Sequence, residues 1–211
     1  MTMKVLLING SPNEKGCTYT ALSVIAKSLE EEGIETEIFH IGKGPIRGCI
    51  GCGGCAKNGN NRCVFNDDTV NTVIEKAETA DGFVVGTPVH YASASGAITS
   101  LMDRVFYAGG KYMYFKPGAA IASCRRGGAT AALDQMNKYF AFGNMPLVTS
   151  NYWSMVHGST PEDVLKDEEG VQTMAQLGRN MAWILKSIQA GKDAGVSMPK
   201  TEPKIKTNYI R

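Results

Sequence analysis

No apolar run in this 211-residue chain approaches the roughly 18 residues that a membrane-spanning helix needs. Helical insertion into a bilayer is therefore not expected. An excess of one charge is also missing: 22 Lys and Arg stand against 20 Asp and Glu, and the two signs are interspersed. That leaves no electrostatic footprint of a nucleic-acid binder. Histidine is scarce, with only His40, His90 and His157. Val5 to Ile8 is a short apolar run, and Asn9-Gly10-Ser11-Pro12 stands where a small-residue cleavage site would have to be. The run reads as a first strand, with no export signal, and a cytoplasmic setting is expected.

What the chain does hold is a concentration of cysteine. Four of its six cysteines, Cys49, Cys52, Cys55 and Cys63, fall in the run Cys49-Ile-Gly-Cys52-Gly-Gly-Cys55 and its close at Cys63. Thiolates spaced this closely can point into one small volume, and the intervening glycines let the backbone wrap an inorganic centre without Cβ clashes. In a reducing compartment such cysteines are ligands or redox thiols rather than disulfides. Three readings stay open on the residues alone: a cluster, free or redox thiols, and a structural zinc, the last disfavoured by three ligands crowded so tightly.

Along the chain, strand and helix patterns alternate. Lys4 to Asn9 is a β run, and Leu22, Ile25, Ala26 and Leu29 form one face of a helix that Gly33 stops. Thr36 to Ile41 reads as strand two. Residues 42–66 have no period and form a cysteine-rich insertion. Val70, Val73, Ile74 and Ala77 mark a helix with Asn66-Asp67-Asp68 before it. Phe83 to Gly86 is strand three, and Ser93 or Ser95 caps a helix carrying Ile98, Leu101, Met102 and Val105. Ala119 to Ser123 is strand four, followed by a helix with Leu133, Met136 and Phe140, and Leu147 to Ser150 is strand five. Thr160-Pro161-Glu162-Asp163 begins one last helical region that Gly191 ends.

The expected fold is thus α/β, a doubly wound five-stranded parallel sheet with helices on both faces. One domain over residues 1–193, including the 42–66 insertion, precedes an extended arm over 194–211. Ligands in such sheets sit beyond the carboxyl ends of the strands. Three loops lie there: Gly10 to Thr18, Thr87 to Ser95 and Cys124 to Thr130. The first gathers backbone N–H groups with the hydroxyls of Ser11 and Thr18 at a helix N-terminus, an anion site. Its glycine spacing is neither the dinucleotide nor the Walker pattern, and a phosphate monoester fits better. An ordinary capped turn is the other reading. Tyr152 and Trp153 lie near the same sheet edge. Trp153 is expected to cover the core, and the alternative is stacking on a ligand bound by a second subunit.

The Gly10-Ser11-Pro12 loop ending at Cys17-Thr18, with Thr87-Pro88-Val89-His90-Tyr91 and Met102-Asp103-Arg104, resembles the NADPH-dependent FMN reductase branch of the flavodoxin-like superfamily. The resemblance runs from Met3 to about Gly158. It implies a flavodoxin-like fold and bound FMN, with Ser11, Asn13, Gly16, Cys17 and Thr18 around the phosphate. Pro88, Val89, His90 and Tyr91 would line the isoalloxazine. Cys124, Arg125, Arg126, Gly127 and Gly128 form the third cofactor-side loop. The arginines would meet anionic flavin or the extra phosphate of a nicotinamide cofactor, or stand solvated. Cys17 and His90 depart from the residues usual at their positions. The cysteine run resembles that of iron-sulfur flavoproteins, which implies a [4Fe-4S] cluster on Cys49, Cys52, Cys55 and Cys63, with Cys17 and Cys124 outside it.

The resulting expectation is an FMN-containing, NAD(P)H-dependent oxidoreductase in which flavin carries the chemistry. Its partners would be a small-molecule electron acceptor or an electron-carrier protein. A homodimer or homotetramer is expected, with the Ser95 to Tyr107 helix as interface. The alternative is a non-enzymatic iron-sulfur flavoprotein electron carrier.

Overall fold

A computed structural model describes residues 2–207. Its centre is a parallel sheet in the order β2-β1-β3-β5-β6. The strands are β1 (Lys4–Asn9), β2 (Glu35–His40), β3 (Gly82–His90), β5 (Gly118–Cys124) and β6 (Met155–His157), and a short β4 (Ser93–Ala94) pairs antiparallel with the end of β3. The expected five-stranded, flavodoxin-like α/β fold is therefore present.

Helices cover both faces because β1, β3 and β5 are apolar on both. Leu6, Ile8, Phe83 and Val85 pack toward α3 (Val70–Thr79), α4 (Gly96–Gly109) and α5 (Ala129–Phe142). Val5, Leu7, Val84 and Ile121 pack toward α1 (Cys17–Glu31), α6 (Pro161–Lys166) and α7 (Glu168–Asp193). The apolar faces read from the sequence for α1, α3, α4 and α5 are the buried ones. Gly33, at φ 78° just past α1, closes that helix through its N–H to the Glu30 carbonyl.

The fifth strand is displaced from its expected place. Residues 147–150 contribute only a single bridge, Gly118 to Leu147, and the sheet edge is taken by Met155–His157 beside β5. The cause lies in α7. Asn180 Nδ2 donates to the Thr149 carbonyl at 2.8 Å and the Ser150 hydroxyl to the Thr173 carbonyl at 2.6 Å. The segment is thereby drawn off the sheet and loops out before Val156 returns to the core with no exposed surface. Trp153 and Tyr152, on that outward loop, are 62% and 57% exposed, so the expected core-covering role of Trp153 is overturned.

The last helical region divides in two. Thr160 caps α6, with Pro161 in its first turn, and Asp167 turns the chain at ψ 77° and caps α7 by accepting from Gly170 N at 3.0 Å. Gly191 lies inside α7, which ends at Asp193. Strand three is also longer than expected, since the sheet continues to His90 and turns at once into β4. Within 42–66 the chain is irregular apart from α2 (Gly54–Asn58). The arm from Ala194 forms no strand or helix beyond its first turn, and residues 208–211 of that expected arm lie outside the described residues.

Candidate flavin and iron-sulfur site

Parallel pairing puts the ends of β1, β3, β5 and β6 at one edge of the sheet. The loop after β1 is organised from below by Asn9, whose side chain is fully buried. Its Oδ1 accepts from Ser11 N at 3.1 Å and its Nδ2 donates to the Glu14 carbonyl at 2.9 Å. Asn9 was not singled out in the sequence; an Asn ending a buried strand just before Gly-Ser-Pro is the signal that points to it. Asn13 N in turn donates to Ser11 Oγ at 3.1 Å, and His40 Nε2 lies 2.8 Å from the Ser11 carbonyl.

The result is a rigid loop whose outer rim, Asn13, Gly16 and Cys17, borders a cavity of about 600 Å³. Lys15, His40, Lys43, Ser159 and Thr160 complete much of its lining. Gly16 is the N-cap of α1 and no side chain caps that helix. Uncapped N–H groups, two hydroxyls and two lysines against the single carboxylate of Glu14 beside one cavity suit a phosphate monoester. Ser11 and Thr18, expected at the phosphate, lie beneath the loop. Both are buried, and the Thr18 hydroxyl already shares a hydrogen bond of 2.8 Å with Ser123.

The second and third loops meet each other. Tyr91 and Ala92 form the two-residue turn between β3 and β4 at φ 50° and 57°, the geometry of a type I′ turn, and Tyr91 is fully exposed at its tip. Such angles are unfavourable for residues with a Cβ, and the turn is held by Gln135 Oε1, which accepts from Ser93 Oγ at 2.7 Å and Ala94 N at 3.1 Å. Gly128, at φ 93°, approaches so near that a Cβ there would sit 2.6 Å from Ala92 Cα. Pro88, Val89, His90 and Tyr91 are thereby set against the loop of Arg125, Arg126, Gly127 and Gly128. Both arginines are exposed. The first loop is tied to the second through Gly10 N donating to the Gly86 carbonyl at 2.8 Å and Ser95 Oγ donating to the Gly10 carbonyl at 3.4 Å. Ser95 is the N-cap residue of α4, yet its hydroxyl serves this tie and does not cap the helix.

Cys17 and Cys124 carry thiols that burial pushes above the ordinary value, which keeps them protonated and unlike metal ligands. None of the other four cysteines is in a disulfide. All four line a single concavity against α4, with Arg104, Tyr107 and Ala108 as its wall and room for a water molecule or two, about 30 Å³. Among the described residues no three His, Cys, Asp or Glu side chains converge on a single-ion site. Cys49 and Cys52 are exposed, and Gly51 and Gly53 take φ 65° and 67° between and beyond them. Four thiols around one apolar concavity, two of them exposed, fit the donor set of an iron-sulfur cluster.

A parallel sheet in the order β2-β1-β3-β5-β6 with helices on both faces defines a flavodoxin-like protein. The chain belongs to the NADPH-dependent FMN reductase family, whose family model matches residues 3–160. An iron-sulfur flavoprotein of Methanocaldococcus jannaschii is 32% identical over 195 residues, covering 89% of this chain and all of that protein. A second iron-sulfur flavoprotein of that organism is 30% identical over 198 residues, covering 87% of this chain and 98% of its own. Among solved structures, an archaeal flavodoxin superposes with a TM-score of 0.59 at 14% identity, over 87% of this chain and 99% of its own. No helix among the described residues is long and apolar enough to cross a membrane.

Proposed function

We propose that this protein is an FMN-containing oxidoreductase that takes reducing equivalents from NAD(P)H, and that Cys49, Cys52, Cys55 and Cys63 hold a [4Fe-4S] cluster. The observation that carries the reading is the role of α4. Its N-terminus follows the β3–β4 turn of the flavin side, and its Arg104, Tyr107 and Ala108 wall the cysteine concavity. At a rise of 1.5 Å per residue, Gly96 and Arg104 are about 12 Å apart along one rigid helix. Two redox sites fixed on one helix suit passage of electrons between them.

When bound, the flavin supplies two-electron chemistry and the cluster one-electron chemistry. The chain's own residues do the rest. Asn13, Gly16 and the first N–H groups of α1 hold the phosphate, with Lys15 and Lys43 balancing its charge. Val89 to Tyr91 form a stiff ledge for the ring, because Gly128 and Gln135 fix the turn from behind. Arg125 and Arg126, exposed at the end of β5, meet the anionic part of the nicotinamide donor. The acceptor is a small molecule or an electron-carrier protein, and a second copy of the chain packs on α4.

Anaerobic purification followed by flavin, iron and acid-labile sulfide assays tests the cofactor set: flavin without iron or sulfide removes the cluster. Steady-state NAD(P)H consumption then separates an enzyme from a carrier reduced by other proteins, since a carrier shows no turnover.

A further inference from the structure

We infer that Arg104 is the positioning residue of the cysteine loop: it clamps both ends of the loop and presents the Cys63 sulfur as a preformed anchor ligand. The inference rests on the cluster reading above. Arg104 is the largest fully buried side chain among the described residues, 1% exposed, at a point where a charge is costly to bury. Its contacts account for the burial. Nε donates to Cys63 Sγ at 3.3 Å, one terminal nitrogen to the Arg47 carbonyl at 3.1 Å and to the Asp68 carboxylate, and the other to the Phe65 carbonyl at 3.3 Å. Asp68 is itself 3% exposed, so the guanidinium is paired as well as hydrogen-bonded. Arg47 lies just before Cys49 and Phe65 just after Cys63, so one planar fork spans the loop's entry and exit.

Cys63 is also held through its backbone. Asn71 Oδ1 accepts from Cys63 N at 2.8 Å and Asn71 Nδ2 donates to the Cys63 carbonyl at 2.9 Å. Cys49 and Cys52, by contrast, are exposed. One sulfur of the four is therefore held through both its side chain and its backbone, while two others stand exposed. A donor aimed at a ligand sulfur also adjusts the reduction potential of the centre that sulfur binds. Lysine lacks the fork, so Arg104→Lys keeps the charge but cannot serve Cys63, Asp68 and both carbonyls together.

The experiment compares wild type with Arg104→Lys and Arg104→Gln, with flavin content as the check on folding. Anaerobic redox titration of the cluster absorption is expected to give a lower potential in Arg104→Lys, or loss of iron and sulfide with flavin retained; an unchanged potential at full iron content overturns the inference. Wild type labelled with 15Nε-arginine gives a measurement that no folding failure can spoil. Pulsed EPR of the reduced cluster is expected to show coupling to an arginine nitrogen, and its absence overturns the inference equally. If wild type carries flavin but no iron, the cluster reading fails by itself. The clamp is then judged by limited proteolysis within residues 42–66: faster cutting in both variants upholds it, and equal cutting overturns it.

Discussion

Thr18 Oγ1 and Ser123 Oγ lie 2.8 Å apart, both buried, one at the start of α1 and the other near the end of β5. The pair stitches the loops that follow β1 and β5 together from below. Its consequence is that Thr18 shapes the loop between β1 and α1 from below. Gly86 makes room for it, since a Cβ there would fall 2.7 Å from the Thr18 methyl carbon.

Replacing Thr18 by Val keeps the methyl contact and strands the Ser123 hydroxyl. The expected cost is ~1–3 kcal/mol. For a domain of this size, thermal unfolding should move down by about 2–4 °C for each kcal/mol, and differential scanning calorimetry measures it. A melting point equal to wild type would show that the hydroxyl pair contributes nothing.

Gly128 is the second place where a single atom decides the site. An added Cβ meets backbone at Ala92 Cα and the Val89 side chain at 3.0 Å, and the φ of 93° is itself unfavourable for alanine. Strain of ~1–2 kcal/mol and overpacking of ~1–3 kcal/mol fall together on the β3–β4 turn. Gly128→Ala is therefore expected to weaken flavin affinity by at least about tenfold, because 1.4 kcal/mol is a factor of ten in binding. Fluorescence titration of the apoprotein with FMN reads it. Gly127→Ala, with open space around it, is the matched control.

The cysteines separate by position. Cys63→Ser is expected to lose most of the iron and sulfide while keeping flavin, whereas Cys17→Ser and Cys124→Ser keep both. The last two thiols are held protonated by burial, so they should also be alkylated by iodoacetamide more slowly than a free cysteine at the same pH, as mass-spectrometric mapping would show. Iron loss in Cys124→Ser with flavin retained would contradict the assignment.

Tyr139 gives a pH prediction. Burial first, and then its hydrogen bond to Asp103 at 2.5 Å, hold the phenol well above its ordinary value of 10.0. A proton kept more tightly in the folded state stabilises fully below pH 10.0 and loses that contribution as pH rises through the folded value. Tyr139→Phe should therefore flatten the loss of stability above pH 10.0 and remove a late-ionising phenol from the ultraviolet titration. An unchanged late-ionising component would assign it to another of the eight tyrosines.

What the sequence by itself determined was the part governed by short-range repetition. Two-sided apolar runs marked β1, β3 and β5, and the 3.6-residue spacing of Leu22, Ile25 and Leu29 marked α1, because strand and helix period act between near neighbours. The four-cysteine spacing was equally legible. Only the tertiary structure decided the rest. Leu147 to Ser150 reads as a strand, but Asn180 and Thr173 on α7 draw it off the sheet. Thr18 reads as a phosphate ligand, but its hydroxyl finds Ser123, 105 residues away. Arg104 stands 41 residues from Cys63 and reads as an ordinary charge on a helix. A buried polar group takes whichever partner the fold brings within about 3 Å, and that partner's position in the chain carries no local signal.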